Sequence, residues 1–217
     1  MKIIKVSELE QNPSLYAEIA EVIASQGLVI IPGLTTYRMA VDVLSAQAVS
    51  KLQQGKRQVQ NKPALVFVSH KKRLDGLVAD VPDVARQLIA NFWPGHLTIR
   101  FDPGDRLPAK VRKSLTKATG KIGVRVPSAD VCAATVAAFD GPILVSSANR
   151  SKKGGAQSLA QVRKNFGNVA DVIIDAGDLP AGSPSTIVDV SDKGWTMVRE
   201  GSITAATIAE KIGAEPL

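Results

Sequence analysis

The sequence predicts one α/β domain built around a large mixed sheet. Three observations lead there. Short runs of branched apolar residues, which read as buried strands, alternate with stretches whose apolar residues recur at helical spacing. No Pro/Ser-rich linker, internal repeat or low-complexity tract divides the 217 residues, so a single domain over 1–217 is expected. Apolar residues make up 45% of the chain and aromatics only 4%, so the core that this length can bury is aliphatic.

The elements follow in order. Lys2 to Val6 alternates apolar and basic residues, as a short edge strand does. Leu15, Ile19, Val22 and Ile23 place an amphipathic helix over residues 13–25, ended by Gly27. Leu28 to Ile31 is a buried strand stopped by Pro32-Gly33, and Leu34 to Asp42 reads as a connecting segment with Thr35, Thr36, Tyr37 and Arg38. Ser45 caps a helix carrying Ala48, Val49 and Leu52. Gln54 to Pro63 is a polar, basic loop, and Ala64 to Val68 the next buried strand. A helix over 82–92 leads through Trp93-Pro94-Gly95 into a half-buried strand, Leu97 to Phe101. Residues 103–120 are polar and basic.

Ile122 to Pro127 is a strand whose single charge, Arg125, points inward or into a site. Asp130 caps a helix running to Phe139, and Ile143-Leu144-Val145 is a buried strand entered through Gly141-Pro142. A helix from Ser158 to Phe166, a strand from Ala170 to Asp175, and a Gly/Pro loop from Gly177 to Pro184 come next. The strand Ser185 to Val190, a short strand and turn at Met197 to Gly201, and a helix from Thr204 to Ile212 close the chain.

The stretch that bears most on function is the exit of the 143–147 strand, Ser146-Ser147-Ala148-Asn149. In open α/β sheets ligands bind beyond the carboxyl ends of strands. Two hydroxyls and an amide there can donate to and accept from a polar ligand without adding charge. A plain strand exit with an Asx or Ser turn is the other reading of the same residues. The net charge of +7 and pI of about 9.6 favour anionic partners, namely nucleotide phosphates, RNA or acidic surfaces. The lone Cys132 excludes an internal disulfide, and two separated histidines, His70 and His96, offer no metal-ligand spacing. No signal-peptide core or run of 18 apolar residues is present, so a soluble, cytoplasmic protein is expected.

Seven short segments, in order, resemble the YrdC-like family, whose best-known members are threonylcarbamoyl-AMP synthases. They are Pro32 to Asp42, Lys56 to Leu65, Phe92-Trp93-Pro94-Gly95-His96-Leu97-Thr98, Gly123-Val124-Arg125-Val126-Pro127, Ser146 to Asn149, Ser185-Thr186-Ile187-Val188-Asp189, and Arg199-Glu200-Gly201. The similarity runs over residues 14–205. The resemblance implies a twisted sheet with a concave, positively charged cavity, and no additional C-terminal domain of the kind longer members carry. It implies a nucleotidyltransferase that joins L-threonine, bicarbonate and ATP, the last with Mg²⁺, and releases pyrophosphate. A t6A transferase partner then passes the threonylcarbamoyl group to tRNA. A carbamate oxygen attacks the α-phosphorus, so the protein's work is placement and charge neutralisation. No protein metal site is implied.

Carried over residue by residue, the resemblance assigns Lys56, Arg57, Ser147, Asn149 and Arg199 to ATP, with Lys56 and Arg57 also catalytic. It assigns Thr35, Tyr37, Arg125 and Ser185 to threonine. Two departures stand out. Gln58 occupies the place of the family's arginine, with Arg57 one position early. The usual Pro-Thr-Asp/Glu-Thr-x-Tyr/Phe-Gly-Leu reads Pro32-Gly33-Leu34-Thr35-Thr36-Tyr37-Arg38-Met39, so a hydroxyl and an acid are lost and a guanidinium replaces glycine. Core packing for Tyr37, a structural ion pair for Arg125 and solvated charge for Lys56 and Arg57 are the alternative readings. At the level of the whole chain the alternatives are a catalytically altered paralogue binding double-stranded RNA, tRNA or a nucleotide in the basic cavity, and a related reaction on another amino acid.

Overall fold

The computed structural model describes residues 1–56, 63–149 and 156–217. Among these residues ten strands form one sheet: β1 (Lys2–Lys5), β2 (Val29–Pro32), β3 (Tyr37–Asp42), β4 (Leu65–Phe67), β5 (Leu97–Phe101), β6 (Ile122–Arg125), β7 (Ile143–Ser147), β8 (Val172–Asp175), β9 (Thr186–Ser191) and β10 (Gly194–Arg199). Their order is β1-β8-β2-β3-β7-β4-β6-β5-β9-β10. Parallel neighbours (β1/β8, β8/β2, β4/β6, β5/β9) mix with antiparallel ones, which makes the large mixed sheet the sequence predicts. No helix among the described residues is long and apolar enough to cross a membrane.

Among the described residues eight α-helices pack on this sheet: α1 (Val6–Gln11), α2 (Leu15–Ala24), α3 (Ala46–Gly55), α4 (Asp83–Phe92), α5 (Ala109–Thr116), α6 (Asp130–Phe139), α7 (Leu159–Phe166) and α8 (Ala205–Ile212). Strand side chains alternate between two apolar clusters, one on each face. In β2, Ile30 joins the first cluster and Val29 and Ile31 the second; in β7, Leu144 joins the first and Ile143 and Val145 the second. Helices α3, α4, α5, α7 and α8 cover the first face through residues such as Leu52, Leu88, Val111, Phe166 and Ile208. Among the described residues α1, α2 and α6 cover the second face, through Leu9, Ile19, Ile23, Cys132 and Val136. The strands they cover end at β4 in the sheet order. Beyond that line the second face of β6, β5, β9 and β10 has no helix over it among the described residues, and the cavity forms there.

Four elements differ from the sequence reading. Leu34 to Asp42 is not a connection, because Tyr37–Asp42 is β3, in the middle of the sheet between β2 and β7. Tyr37, Met39 and Val41 face the first cluster while Arg38 and Asp42 interrupt the apolar pattern on the other side. The helix drawn over 13–25 is preceded by a separate short one, α1, which begins directly after β1. The polar 103–120 stretch contains α5, which buries only Val111 and Leu115, one turn apart. Asp130 is the first residue of α6 rather than its cap, which is Ala129. At the end of α2 the left-handed residue is Gln26, and Gly27 is needed because a Cβ there would lie 2.5 Å from the Val22 carbonyl oxygen. Ser45 caps α3 as expected, its hydroxyl accepting from the Ala48 amide at 3.2 Å.

Candidate functional site

The strand exit at β7 is held by a lysine. Lys56 follows α3, is 4% exposed, and donates from Nζ to Ser146 Oγ at 2.9 Å and to the Ser147 carbonyl at 2.7 Å. These charge-assisted bonds fix the serine backbone against the end of α3. The Ala148 amide donates to the Tyr37 carbonyl at 2.8 Å, and the Asn149 amide folds back to the Ser147 carbonyl at 2.9 Å. Ser147 and Asn149 line a cavity of about 470 Å³, within the usual size of small-molecule sites.

The floor of the cavity is a transverse row of the sheet. Arg199 pairs with Ile187, Ile187 with Thr98, and Arg125 with Phe67; the β5–β6 register sets Thr98 beside Arg125. Residues on one such row share a face. Arg38, paired with Ser147, enters the same face from β3. Both guanidiniums lie over the Phe67 ring, with Cζ at 5.6 Å from the centroid for Arg38 and 5.7 Å for Arg125. Arg199 is tied to Ser185, donating to its carbonyl at 2.6 Å and to its hydroxyl at 3.3 Å. His96 lines the cavity too, and its Nδ1 lies 3.2 Å from the Ser202 hydroxyl.

The electrostatics are one-sided. Arg38, Lys56, His96, Arg100, Arg125 and Arg199 line the cavity, and among the described lining residues there is no Asp or Glu. Arg100 is neutralised by Asp189 on β9. Arg125 is 6% exposed, and burial together with the charge of Arg38 lowers its pKa from 12.5 to about 10. Burial also lowers Arg38 and Arg199, and burial plus Arg125 lowers His96. The buried Cys132 thiol rises to about 11 through desolvation. Two buried polar atoms of this face, Arg125 Nε and Thr98 Oγ1, have no hydrogen-bond partner among the described residues. Buried unpaired donors and charges are costly unless a ligand completes them.

Of the residues singled out in the sequence, Thr35, Lys56, Arg125, Ser147, Asn149, Ser185 and Arg199 all line this one cavity. Tyr37 does not. Its side chain is fully buried, and its hydroxyl donates to the Gly177 carbonyl at 2.6 Å and accepts from the Ala176 amide at 2.9 Å. It therefore anchors the loop after β8, the packing alternative rather than the ligand one. Arg57 and Gln58 lie outside the described residues. Arg125 has no carboxylate partner in an ion pair among these residues, so the structural ion-pair reading falls away. Ser146, part of the polar strand exit read from the sequence, lines the cavity too. Phe67, Thr98 and His96 were not assigned to the site; Phe67 sits in a run that reads as core, and His96 and Thr98 follow a Trp-Pro-Gly turn that reads as structural.

A larger open groove of about 1380 Å³ lies between α2 and α3. Its Glu18, Glu21 and Lys51 mix both signs, and Lys51 is paired with Asp171. The smaller cavity, where cations and hydroxyls converge, is the better ligand site.

Fold and site together define an α/β protein with a cation-lined cavity of about 470 Å³ on one face of a mixed sheet. A family model described as "Telomere recombination" (Sua5, YciO, YrdC) matches residues 21–201, and the chain belongs to that family. A Mycobacterium leprae protein is 33% identical over 189 residues, covering 87% of this chain and 84% of that one. The threonylcarbamoyl-AMP synthases of Pyrococcus abyssi and Bacillus subtilis are 26% and 27% identical over 86% and 95% of this chain, which spans 54% and 59% of theirs. A structure of P. abyssi Sua5 superposes over the whole chain with a TM-score of 0.88 at 26% identity, and this chain spans 62% of it. Escherichia coli YciO matches in fold, with a TM-score of 0.77 over 97% of this chain and 98% of its own.

Proposed function

We propose that this chain is a threonylcarbamoyl-AMP synthase: it joins L-threonine, bicarbonate and ATP and releases pyrophosphate, for t6A formation in tRNA. The observation that carries the proposal is the convergence of Lys56, Ser147, Asn149, Arg125 and Arg199 on a cavity with no lining carboxylate among the described residues. Family membership and the names of the relatives support it.

The residues divide the work by chemistry. Lys56, Ser147 and Asn149 at the β7 exit suit the nucleotide phosphates, with one ammonium and neutral donors at close backbone range. Arg199, held on Ser185, brings a further cation to the same charge. Arg125, with its unpartnered Nε, suits the threonine carboxylate. Thr35, on the cavity wall, suits the amino-acid side. Nothing here attacks covalently; the reaction needs the carbamate oxygen in line with the α-phosphorus and the developing charge neutralised. Magnesium would arrive on the triphosphate. Among the described residues no group of three His, Cys, Asp or Glu is placed to hold a metal, and none of the cavity's described residues is an acid.

The test is pyrophosphate release from ATP-Mg²⁺ that requires both bicarbonate and L-threonine. Release that ignores either co-substrate would reject the proposal. A second reading, contact with RNA, is favoured by the exposed Lys110, Arg112, Lys113 and Lys117 on and just beyond α5. Its mark would be tRNA binding that weakens steeply with salt and with removal of those charges.

A further inference from the structure

The arginine at position 38 gives this cavity one more cation than the residues carried over from the family supply. Its guanidinium shares the Phe67 ring with that of Arg125, and it forms no ion pair among the described residues. Gly33 lies beside it: a Cβ there would meet Arg38 Nε in ordinary contact at 3.5 Å but would lie only 2.9 Å from the Thr36 carbonyl oxygen, so the turn that carries Arg38 into the cavity requires glycine. Two like charges beside one buried ring repel, and no acid among the described lining residues relieves them. The arrangement is matched by a ligand with two negative groups.

The synthase reaction makes such a ligand. The amine of the amino acid attacks bicarbonate; a nitrogen–carbon bond forms, a carbon–oxygen bond breaks, and the hydroxide leaves with an amine proton as water. The product carries the original carboxylate and a new carbamate, and is a dianion. Carbamates lose CO2 when protonated, so the site that holds one must offer positive charge without an acidic proton. Guanidiniums meet that condition, and with its pKa at about 10 Arg125 stays protonated at neutral pH.

We propose that Arg38 and Arg125 together form a two-guanidinium receptor for the N-carboxy amino acid, with Arg38 on one carboxylate, Arg125 on the other, and the Thr98 hydroxyl completing the Arg125 side. Arg38 is thereby a substrate-contacting residue of the reaction. This rests on the synthase reading above.

Succinate tests it without turnover, because its two carboxylates are separated by two atoms, as are those of the N-carboxy amino acid. Calorimetry with succinate, and with acetate as the single-charge control, is run on the wild type, R38M and R38K, each checked for folding by its melting transition. The wild type binds succinate well above acetate. R38M weakens succinate about 10- to 100-fold, the loss of one charge-assisted contact. R38K, which keeps the charge but not the fork, falls between. ATP affinity stays within about twofold in both, while KM for bicarbonate rises in parallel with the succinate Kd. Unchanged succinate binding in folded R38M, or a wild type that does not separate succinate from acetate, overturns the receptor and leaves the synthase reading standing. Arginine-dependent succinate binding with no adenylate formed from any amino acid overturns the synthase reading and the carbamate role together.

Discussion

Replacing Arg125 by methionine should make the free protein more stable while removing its anion binding. Arg125 is 6% exposed and, among the described residues, has no carboxylate beside it in the cavity and no partner for its Nε. A drop in pKa from 12.5 to about 10 corresponds to ~3 kcal/mol lost by the charged form on folding. The contact with the Phe67 ring returns ~1–2 kcal/mol of this. Methionine has similar length, keeps contact with Phe67 and carries no polar atom to strand. R125M should therefore gain ~1–2 kcal/mol, which for a chain of this size raises Tm by roughly 2–8 °C. The sign with pH follows. The charged form is penalised in the folded state at every pH below about 10, so the gain is constant from pH 6 to 9. It shrinks as pH rises past 10, where the guanidinium begins to lose its proton. Urea denaturation at pH 7 and pH 9, read by far-UV circular dichroism, gives the numbers. A loss of 1 kcal/mol or more in R125M would refute the reasoning and make Arg125 a structural residue.

Other expectations concern residues around the cavity. Y37F removes the hydroxyl that joins the Gly177 carbonyl and Ala176 amide, so it should cost about 1–3 kcal/mol in denaturation while leaving KM for threonine within about twofold; a large KM change at unchanged stability would return Tyr37 to the ligand site. G33A places a methyl 2.9 Å from the Thr36 carbonyl and beside Arg38, and should lower stability by about 1–3 kcal/mol and weaken succinate binding, both measurable by thermal melting with and without succinate. Cys132, 2% exposed and with its thiol raised to about 11, should resist a disulfide reagent at pH 8 and react fully in guanidinium chloride; prompt native labelling would show that α6 opens.

The parts of the fold that could be read from the sequence are those whose side chains answer to one demand. Leu28 to Ile31 and Ile143 to Val145 are buried on both faces and stand out as apolar runs. β3 was hidden because Arg38 and Asp42 break that run, and Arg38 does so to line the cavity. α5 was hidden because half of its residues face solvent and only Val111 and Leu115 declare a helix. In the site, Ser147 and Asn149 were legible as a polar strand exit, and Arg125 as a lone charge in an apolar strand. The meeting of Arg38, Phe67 and Arg125 was not. It depends on the spatial order β3-β7-β4-β6, which brings together residues far apart in the chain and which no local pattern encodes. Tyr37 misled for a related reason. Its type and place suit a ligand contact, but its partners, Ala176 and Gly177, come from beyond β8.

The central claim is that this cavity joins bicarbonate, L-threonine and ATP. The direct measurement is mass spectrometry of the nucleotide products after incubation with ¹³C-bicarbonate, L-threonine and ATP-Mg²⁺, with an S147A/N149A double variant beside the wild type. The account predicts a threonylcarbamoyl-AMP species shifted by one mass unit by the label, formed by the wild type and lost in the variant. Labelled product undiminished in the variant, or no AMP adduct from a wild type that still binds ATP, would contradict it.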